Sequence, residues 1–438
     1  MDTARGFIVA SAHSRSGKTT VTLALMAALR RVGVEVAPFK AGPDYIDPAW
    51  HRIACERDAI NLDTFMVGRP ACRPLFEHRR AGALGIIEGV MGLYDGKSGI
   101  GGPGSTADLA KVLDLPVVLV VEARGMAGSI APLVDGFVRY AEGFRIAGVI
   151  ANRVGGAMHV QMLKEALASR HLPPLLAALP RDESLTLEER HLGLILPGDR
   201  KSEMEMAHLA EALVWQPDDL LTAIRTKVPD TPMAPLPDPL ADGQKRLDGQ
   251  TIAVARDAAF CFIYRANLDW LAHQGAEVRF FSPIAGDPLP AETTAAWLPG
   301  GYPELHCKAL FRSKSWETLA TFVQQDGPLL AECGGMMALG RSLTDKAGQT
   351  WPMAGILDLE TRMTPRLAGL GYRQEQSGPR GHEFHHSKRE PCSLPAAFQL
   401  DRGDPGVRHK RVRASYVHWY FPSAPEQCAS WLSRSMAT

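Results

Sequence analysis

Short apolar or β-branched runs alternate with helix-length segments along almost the whole chain, the pattern that builds parallel sheets covered by helices. In the first half the runs predict strands near Phe7–Ala10, Val34–Ala37, Leu84–Ile87, Val117–Val121 and Ala147–Ile150. In the second they predict strands near Thr251–Ala255, Glu277–Phe281, Ala295–Leu298, Pro328–Ala331 and Val412–Val417. Between the halves, residues 228–240 read VPDTPMAPLPDPL, five prolines in thirteen positions, which cannot hold a helix and favour an extended spacer. The expected fold class is α/β with two doubly wound domains, over residues 1–227 and 248–438, joined by a proline-rich linker over 228–247. Each half is large enough to bury its own core, and no repeat relates them.

Composition narrows the class. The 438 residues are 45% apolar and 22% charged, which excludes disordered and fibrous chains. Basic and acidic residues number 48 each, so the global charge points to no nucleic acid and no membrane surface. Seven scattered cysteines (Cys55, Cys72, Cys261, Cys307, Cys333, Cys392, Cys428) show no C-x-x-C spacing, which argues against a disulfide framework and a structural zinc site. A reducing, cytoplasmic setting is expected. The chain enters an apolar strand at Phe7 without a leader, and no apolar run approaches the ~20 residues of a membrane helix, so neither export nor membrane insertion is expected.

The first strand runs into SAHSRSGKTT and then into the apolar helix-former VTLALMAAL. Strand, loop and helix in this order make a phosphate loop, because loop N–H groups and the helix N-terminus face one anion together. Ser16, Gly17, Lys18, Thr19 and Thr20 are the expected nucleotide contacts, with Lys18 at the β- and γ-phosphates and Thr19 on Mg²⁺. Ala12 stands where the full pattern has glycine, and Arg15 and Ser16 replace the loop's usual small residues. Carboxylates follow at strand ends, where a parallel sheet forms its ligand crevice. They are Asp44 and Asp47 in KAGPDYIDP, Glu88 and Asp95 in IIEGVMGLYDG, and Glu122. Glu88, directly after Ile86 and Ile87, takes the place of the metal-binding acid of nucleotide hydrolases, and Asp44 and Asp95 are further candidates. Asp47 and Glu122 read as solvated loop acids. Asn152 and Arg153, closing the fifth strand, either touch the nucleotide base or cap the strand.

In the second half, PLLAECGGMMALG sets Cys333 between a buried strand and a glycine-rich helix start, a strained turn that projects a nucleophile towards positive helix-end potential. The other six cysteines lack that context. WLPGGYPELH follows another strand, so Gly300 and Gly301 can offer N–H groups to an oxyanion beside that of Gly334. VRASYVHWYFP ends a strand with His418, the candidate base, ranked above His382, His385 and His386 of GHEFHHS.

These segments, with NLDTFM, NRVGG, ERHLGL and GLGYR, span nearly the whole chain, which resembles the cobyrinic acid a,c-diamide synthase family. The resemblance implies a dethiobiotin-synthetase-like phosphate-loop domain joined to a triad-type glutamine amidotransferase domain. It implies Cys333 as glutaminase nucleophile with His418 as its partner, and Lys18, Thr19, Asp44, Tyr45, Glu88 and Asp95 around ATP, Mg²⁺ and the substrate carboxylate. The implied reaction is ATP-dependent amidation of the c and a side chains of a corrin polycarboxylate, through a phosphorylated carboxylate and ammonia from glutamine. A homodimer is left open. Two departures stand out: Tyr420 occupies the place where triad-type glutaminases carry glutamate two residues after the histidine, and Arg15 stands where the family commonly has glycine. Two competing readings are a cobyric acid synthase amidating other side chains, and a ParA/MinD-like regulatory ATPase with an inactive amidase-like domain. Against the latter, His13 stands where that group has a loop lysine, and CASWLSRSMAT carries no basic amphipathic tail.

Overall fold

The computed structural model describes residues 5–97, 102–185, 200–225 and 238–434. The described residues form two compact units that part between Pro239 and Leu240. Half of the expected linker, 228–237, and the ERHLGL segment lie outside the described residues. The end of that linker is no spacer, because Leu247 is fully buried in the second unit and its N–H donates to Gln274 O at 2.9 Å.

The first unit is one sheet of eight strands: β1 (Gly6–Ser11), β2 (Val36–Ala41), β3 (Ile60–Leu62), β4 (Leu84–Glu88), β5 (Val117–Glu122), β6 (Ile146–Val154), β7 (Leu175–Pro180) and β8 (Val214–Trp215). Their spatial order is β3-β2-β4-β1-β5-β6-β7-β8, and all but β8 run parallel. Helices on the faces bury β1 on both sides, and so its apolar run is continuous rather than alternating. The central position of β1 puts the candidate phosphate loop at the middle of the sheet's C-terminal edge, with the ends of β2, β4, β5 and β6 around it. Two expectations shift here. The second strand starts at Val36 and runs to Ala41, which brings Lys40 inside the sheet as a buried residue, and the fifth expected strand continues through Asn152 to Val154.

The second unit centres on a six-stranded sheet. Strands β9 (Thr251–Ala255), β10 (Glu277–Phe281), β11 (Ala295–Leu298) and β12 (Leu329–Glu332) run in the order β10-β9-β11-β12, followed by Val412–Ser415 in parallel and Val407–His409 antiparallel at the edge. Two small sheets flank it. One joins Ser342–Thr344, Thr350–Pro352, Glu360–Met363 and Ser387–Arg389; the other joins Gly369–Gln374, Arg380–His385 and His418–Tyr420. The last of these corrects an expectation: the strand before His418 stops at Ser415, and His418 opens a separate strand in register with His382.

Candidate functional site

In the first unit, Gly17 adopts φ 80° and closes the loop onto the helix Lys18–Arg31. A Cβ there would lie 1.9 Å from Asn152 Nδ2, which instead donates to Ser16 O at 3.0 Å, so Asn152 braces the loop from β6. Ser16 Oγ donates to His13 O at 2.7 Å, and Thr20 sits in the helix's first turn. Arg15 holds φ 66°, the left-handed region where glycine rests without strain, so the departure at this position falls where the backbone calls for glycine.

Glu88, wholly buried at the end of β4, is the hub. Its Oε1 accepts from Thr19 Oγ1 at 2.6 Å and lies 3.2 Å from Lys40 Nζ, while Oε2 meets His51 Nε2 at 2.7 Å. Lys40 is the register partner of Glu88 across β2 and β4, and it also pairs with Asp47 and, at 3.8 Å, with Asp44. Asp47 is therefore no solvated acid: it is largely buried, with Oδ1 3.5 Å from Thr19 Oγ1. Asp44 Oδ1 accepts the N–H groups of Ile46 and Asp47, which starts the helix Ile46–Cys55 just after Tyr45. Asp95 Oδ2 accepts the Gly92 N–H at 2.8 Å and shapes the loop from β4. Lys18 Nζ donates to Met91 O at 2.8 Å and to Ser11 Oγ at 3.3 Å. Glu122, at the end of β5, accepts from Arg153 at 2.9 Å.

Charge in this cluster is set by burial and neighbours. Burial would push Glu88 up, yet Lys40 and His51 outweigh it and hold the carboxyl well below its usual range. Burial would lower Lys40, but Asp47, Glu88 and Asp44 keep it firmly protonated. Asp47 is pushed above its usual value by burial and by its acidic neighbours Asp44 and Glu88, against the pull of Lys40. Burial, then Lys40, lowers Lys18. Lys40 and His51 escaped sequence reading. Only the register of β2 on β4 and the packing of the next helix bring them to Glu88.

In the second unit Cys333 holds φ 44° and ψ −105°, a conformation that costs roughly 1–3 kcal/mol and marks the elbow expected there. Its N–H donates to Ser415 O at 2.7 Å, which ties the elbow to the neighbouring strand. The position of a Cβ on Gly300 would be 2.2 Å from His418 Cε1 and 3.3 Å from Cys333 Cβ, so the candidate nucleophile, the candidate base and the glycine turn converge. A Cβ on Gly334 would come within 3.1 Å of Gly301 N, which places the remaining oxyanion candidates side by side. Burial, then Glu304, pushes the Cys333 thiol up against the pull of the Gly334 N–H. His418 is buried near Phe262 and His382, whose rings stand 5.8 and 5.1 Å away, and burial keeps it neutral. His382 meets Tyr264 Oη at 3.0 Å, and His385 stacks on Tyr416 at 3.7 Å; His386 touches Phe384. Tyr420 packs edge-on against Tyr264.

Among the described residues no helix is long and apolar enough to cross a membrane. Residues 7–195 match the family described as "CobQ/CobB/MinD/ParA nucleotide binding domain", and residues 251–426 the "CobB/CobQ-like glutamine amidotransferase domain". The chain is 39% identical to "Cobyrinate a,c-diamide synthase" of Herminiimonas arsenicoxydans, over 98% of this chain and 96% of that one. It is 40% identical to the protein of the same name from Gloeobacter violaceus, over 98% and 97% of the two chains. With "Hydrogenobyrinate a,c-diamide synthase" of Brucella anthropi it shares 41% identity over 94% of this chain and 98% of the relative. A match of this extent, covering both units and both sites, leaves one assignment: the chain belongs to the cobyrinate and hydrogenobyrinate a,c-diamide synthase family.

Proposed function

We propose that this chain amidates the a and c side-chain carboxylates of cobyrinic or hydrogenobyrinic acid, with ATP as activator and glutamine as nitrogen donor. The observation that carries the reading is the coexistence, on one chain, of the Lys18–Thr19–Glu88 phosphate site and the Cys333–His418–Gly300 elbow. His418, neutral through burial, takes the thiol proton as Cys333 Sγ attacks the glutamine side-chain amide carbon. The N–H groups of Gly300, Gly301 and Gly334 are the candidates to hold the oxyanion. His418 returns the proton to the departing ammonia, and water then cleaves the thioester to glutamate.

In the first unit a substrate carboxylate oxygen attacks the γ-phosphorus of ATP, the bond to ADP breaks, and an acyl phosphate forms. Ammonia attacks its carbonyl carbon, phosphate leaves, and the amide remains after loss of a proton. Lys18 neutralises phosphate charge, and the loop N–H groups orient the chain of phosphates. The oxygen donors of Thr19, Glu88 and Asp47 suit Mg²⁺, a hard cation that would come with the nucleotide and supply charge neutralisation there. Asp44, Tyr45 and Asp95 border the same edge and are assigned to the substrate side.

The test is incubation of the purified protein with glutamine, Mg-ATP and each macrocycle, with products weighed by mass spectrometry. Two successive amidations are expected. Cys333→Ser should abolish glutamine-driven synthesis and leave synthesis from concentrated ammonium chloride; failure of ammonia to support the variant refutes the division of labour. Light scattering of the same sample decides between monomer and homodimer.

A further inference from the structure

Glu332 directly precedes the nucleophile, is 1% exposed, and joins three segments of the glutaminase site. Its Oε1 accepts the N–H of Trp419, the residue after His418, at 2.9 Å. Its Oε2 accepts Trp297 Nε1–H at 3.1 Å, from β11, the strand that leads into Gly300. Asn267 completes the arrangement: Nδ2 donates to Trp419 O at 2.8 Å and Oδ1 accepts the Phe421 N–H at 2.9 Å. The strand His418–Tyr420 is therefore paired with Arg380–His385 on one edge and with two buried side chains on the other. Those side chains supply the donors and acceptors that another strand would.

A carboxylate is an expensive filler for this place. Burial pushes it up to about 8 despite both hydrogen bonds, whereas an apolar residue of similar size would carry no such cost. What an apolar residue cannot do is hold the Trp419 N–H and the Trp297 indole at the same time. We propose that Glu332 is a positioning residue of the glutaminase, fixing His418 against Cys333 and Gly300 through Trp419 and Trp297. It anchors the base through the backbone, where triad-type glutaminases carry a carboxylate at the place of Tyr420. The proposal rests on the glutaminase reading of this unit.

Glu332→Gln keeps the shape but offers one oxygen to two donors. In the full-length enzyme, glutaminase kcat should fall roughly 10²-fold, the cost of a catalytic group displaced by about 1 Å, with KM for glutamine changed less than about twofold. Ammonia-driven synthesis should stay at the wild-type rate. Trp297→Phe removes one donor and spares the Trp419 bond, so roughly a tenfold fall in kcat with the same constancy of KM is expected; it carries the test if Glu332→Gln does not fold. Wild-type kcat in both variants overturns the proposal. So does a parallel loss of ammonia-driven synthesis, or a rise in KM that accounts for the whole effect, since either would mark a purely structural residue. Cys333→Ser is run alongside: if it still uses glutamine, the glutaminase reading itself has failed, whereas an inactive Cys333→Ser beside a normal Glu332→Gln sinks only the positioning role.

Discussion

Gly300→Ala probes the placement of the base with a single methyl group. Gly300 does not occupy the left-handed region, so alanine is strained there by contact alone. Its Cβ would meet His418 Cε1 at 2.2 Å and Nδ1 at 3.0 Å, where ordinary contact begins at 3.4 Å. Ring and turn must therefore separate by about 1 Å, and the imidazole that has to move already packs near Phe262 and His382, with ring centroids 5.8 and 5.1 Å away. Overpacking of this kind costs about 1–3 kcal/mol of stability. Displacing a catalytic group by about 1 Å costs roughly 10²-fold in rate. The assay is glutamate release from glutamine, normalised to folded protein by circular dichroism, with ammonia-driven amidation as internal control. Glutaminase should fall roughly 10²-fold and the control should hold. A glutaminase rate within about threefold of wild type would show that the proton is taken elsewhere, and would refute the assignment of His418.

His418→Asn should lower glutaminase activity by roughly 10²–10⁴-fold, the usual worth of a placed general base, while His386→Asn should leave it near wild type; the reverse result in the same assay would move the base into GHEFHHS. Glu88→Gln removes the charge shared by Thr19, His51 and Lys40, so synthesis should drop about 10²-fold with glutamine and ammonia alike, while a diazo-ketone analogue of glutamine still labels Cys333. Full ammonia-driven activity in that variant would remove Glu88 from the phosphate site. Stability should also respond to acid. Burial depresses His382 to about 3, with Arg373 adding to the effect and Tyr264 Oη alongside; burial also holds His418 well below the usual histidine value, with His382 and His385 beside it. The unfolded chain, with histidine near 6.5, then binds more protons, so stability is retained above about pH 6.5 and lost below it, by at most about 1.4 kcal/mol per pH unit for each ring. Melting followed by tryptophan emission reports chiefly on the second unit, which carries six of the eight tryptophans, and Tm should decline from pH 7 to 5. A flat profile, or one unchanged by His382→Gln, contradicts the burial argument.

Strands β9 and β11 fall on the residues read from hydrophobic pattern alone, and β1, β4 and β5 within a residue or two, because buried parallel strands must be nearly continuous apolar runs; β10, which also falls on its expected residues, is a half-exposed edge strand that carries Glu277 and Arg279. GKTT and ECGG could be singled out as candidates, since a phosphate loop and a nucleophile elbow are local turns whose chemistry resides in adjacent residues. The sequence could not place Lys40 inside β2, because a lysine ends an apolar pattern even where three carboxylates make its burial tolerable. Nor could it show that Asp47 and His51 converge on Glu88 from a separate helix, or that His418 opens a new strand instead of closing one. Nothing in the local pattern singles out Glu332, whose partners Trp297 and Trp419 lie 35 and 87 residues away along the chain. Local sequence determined where the elements and the reactive turns form, because backbone preference and apolar burial act over a few residues. Which charges meet inside was decided only by strand register and crossover packing, because a buried ion pair or hydrogen bond depends on a distance of about 3 Å that no sequence separation encodes.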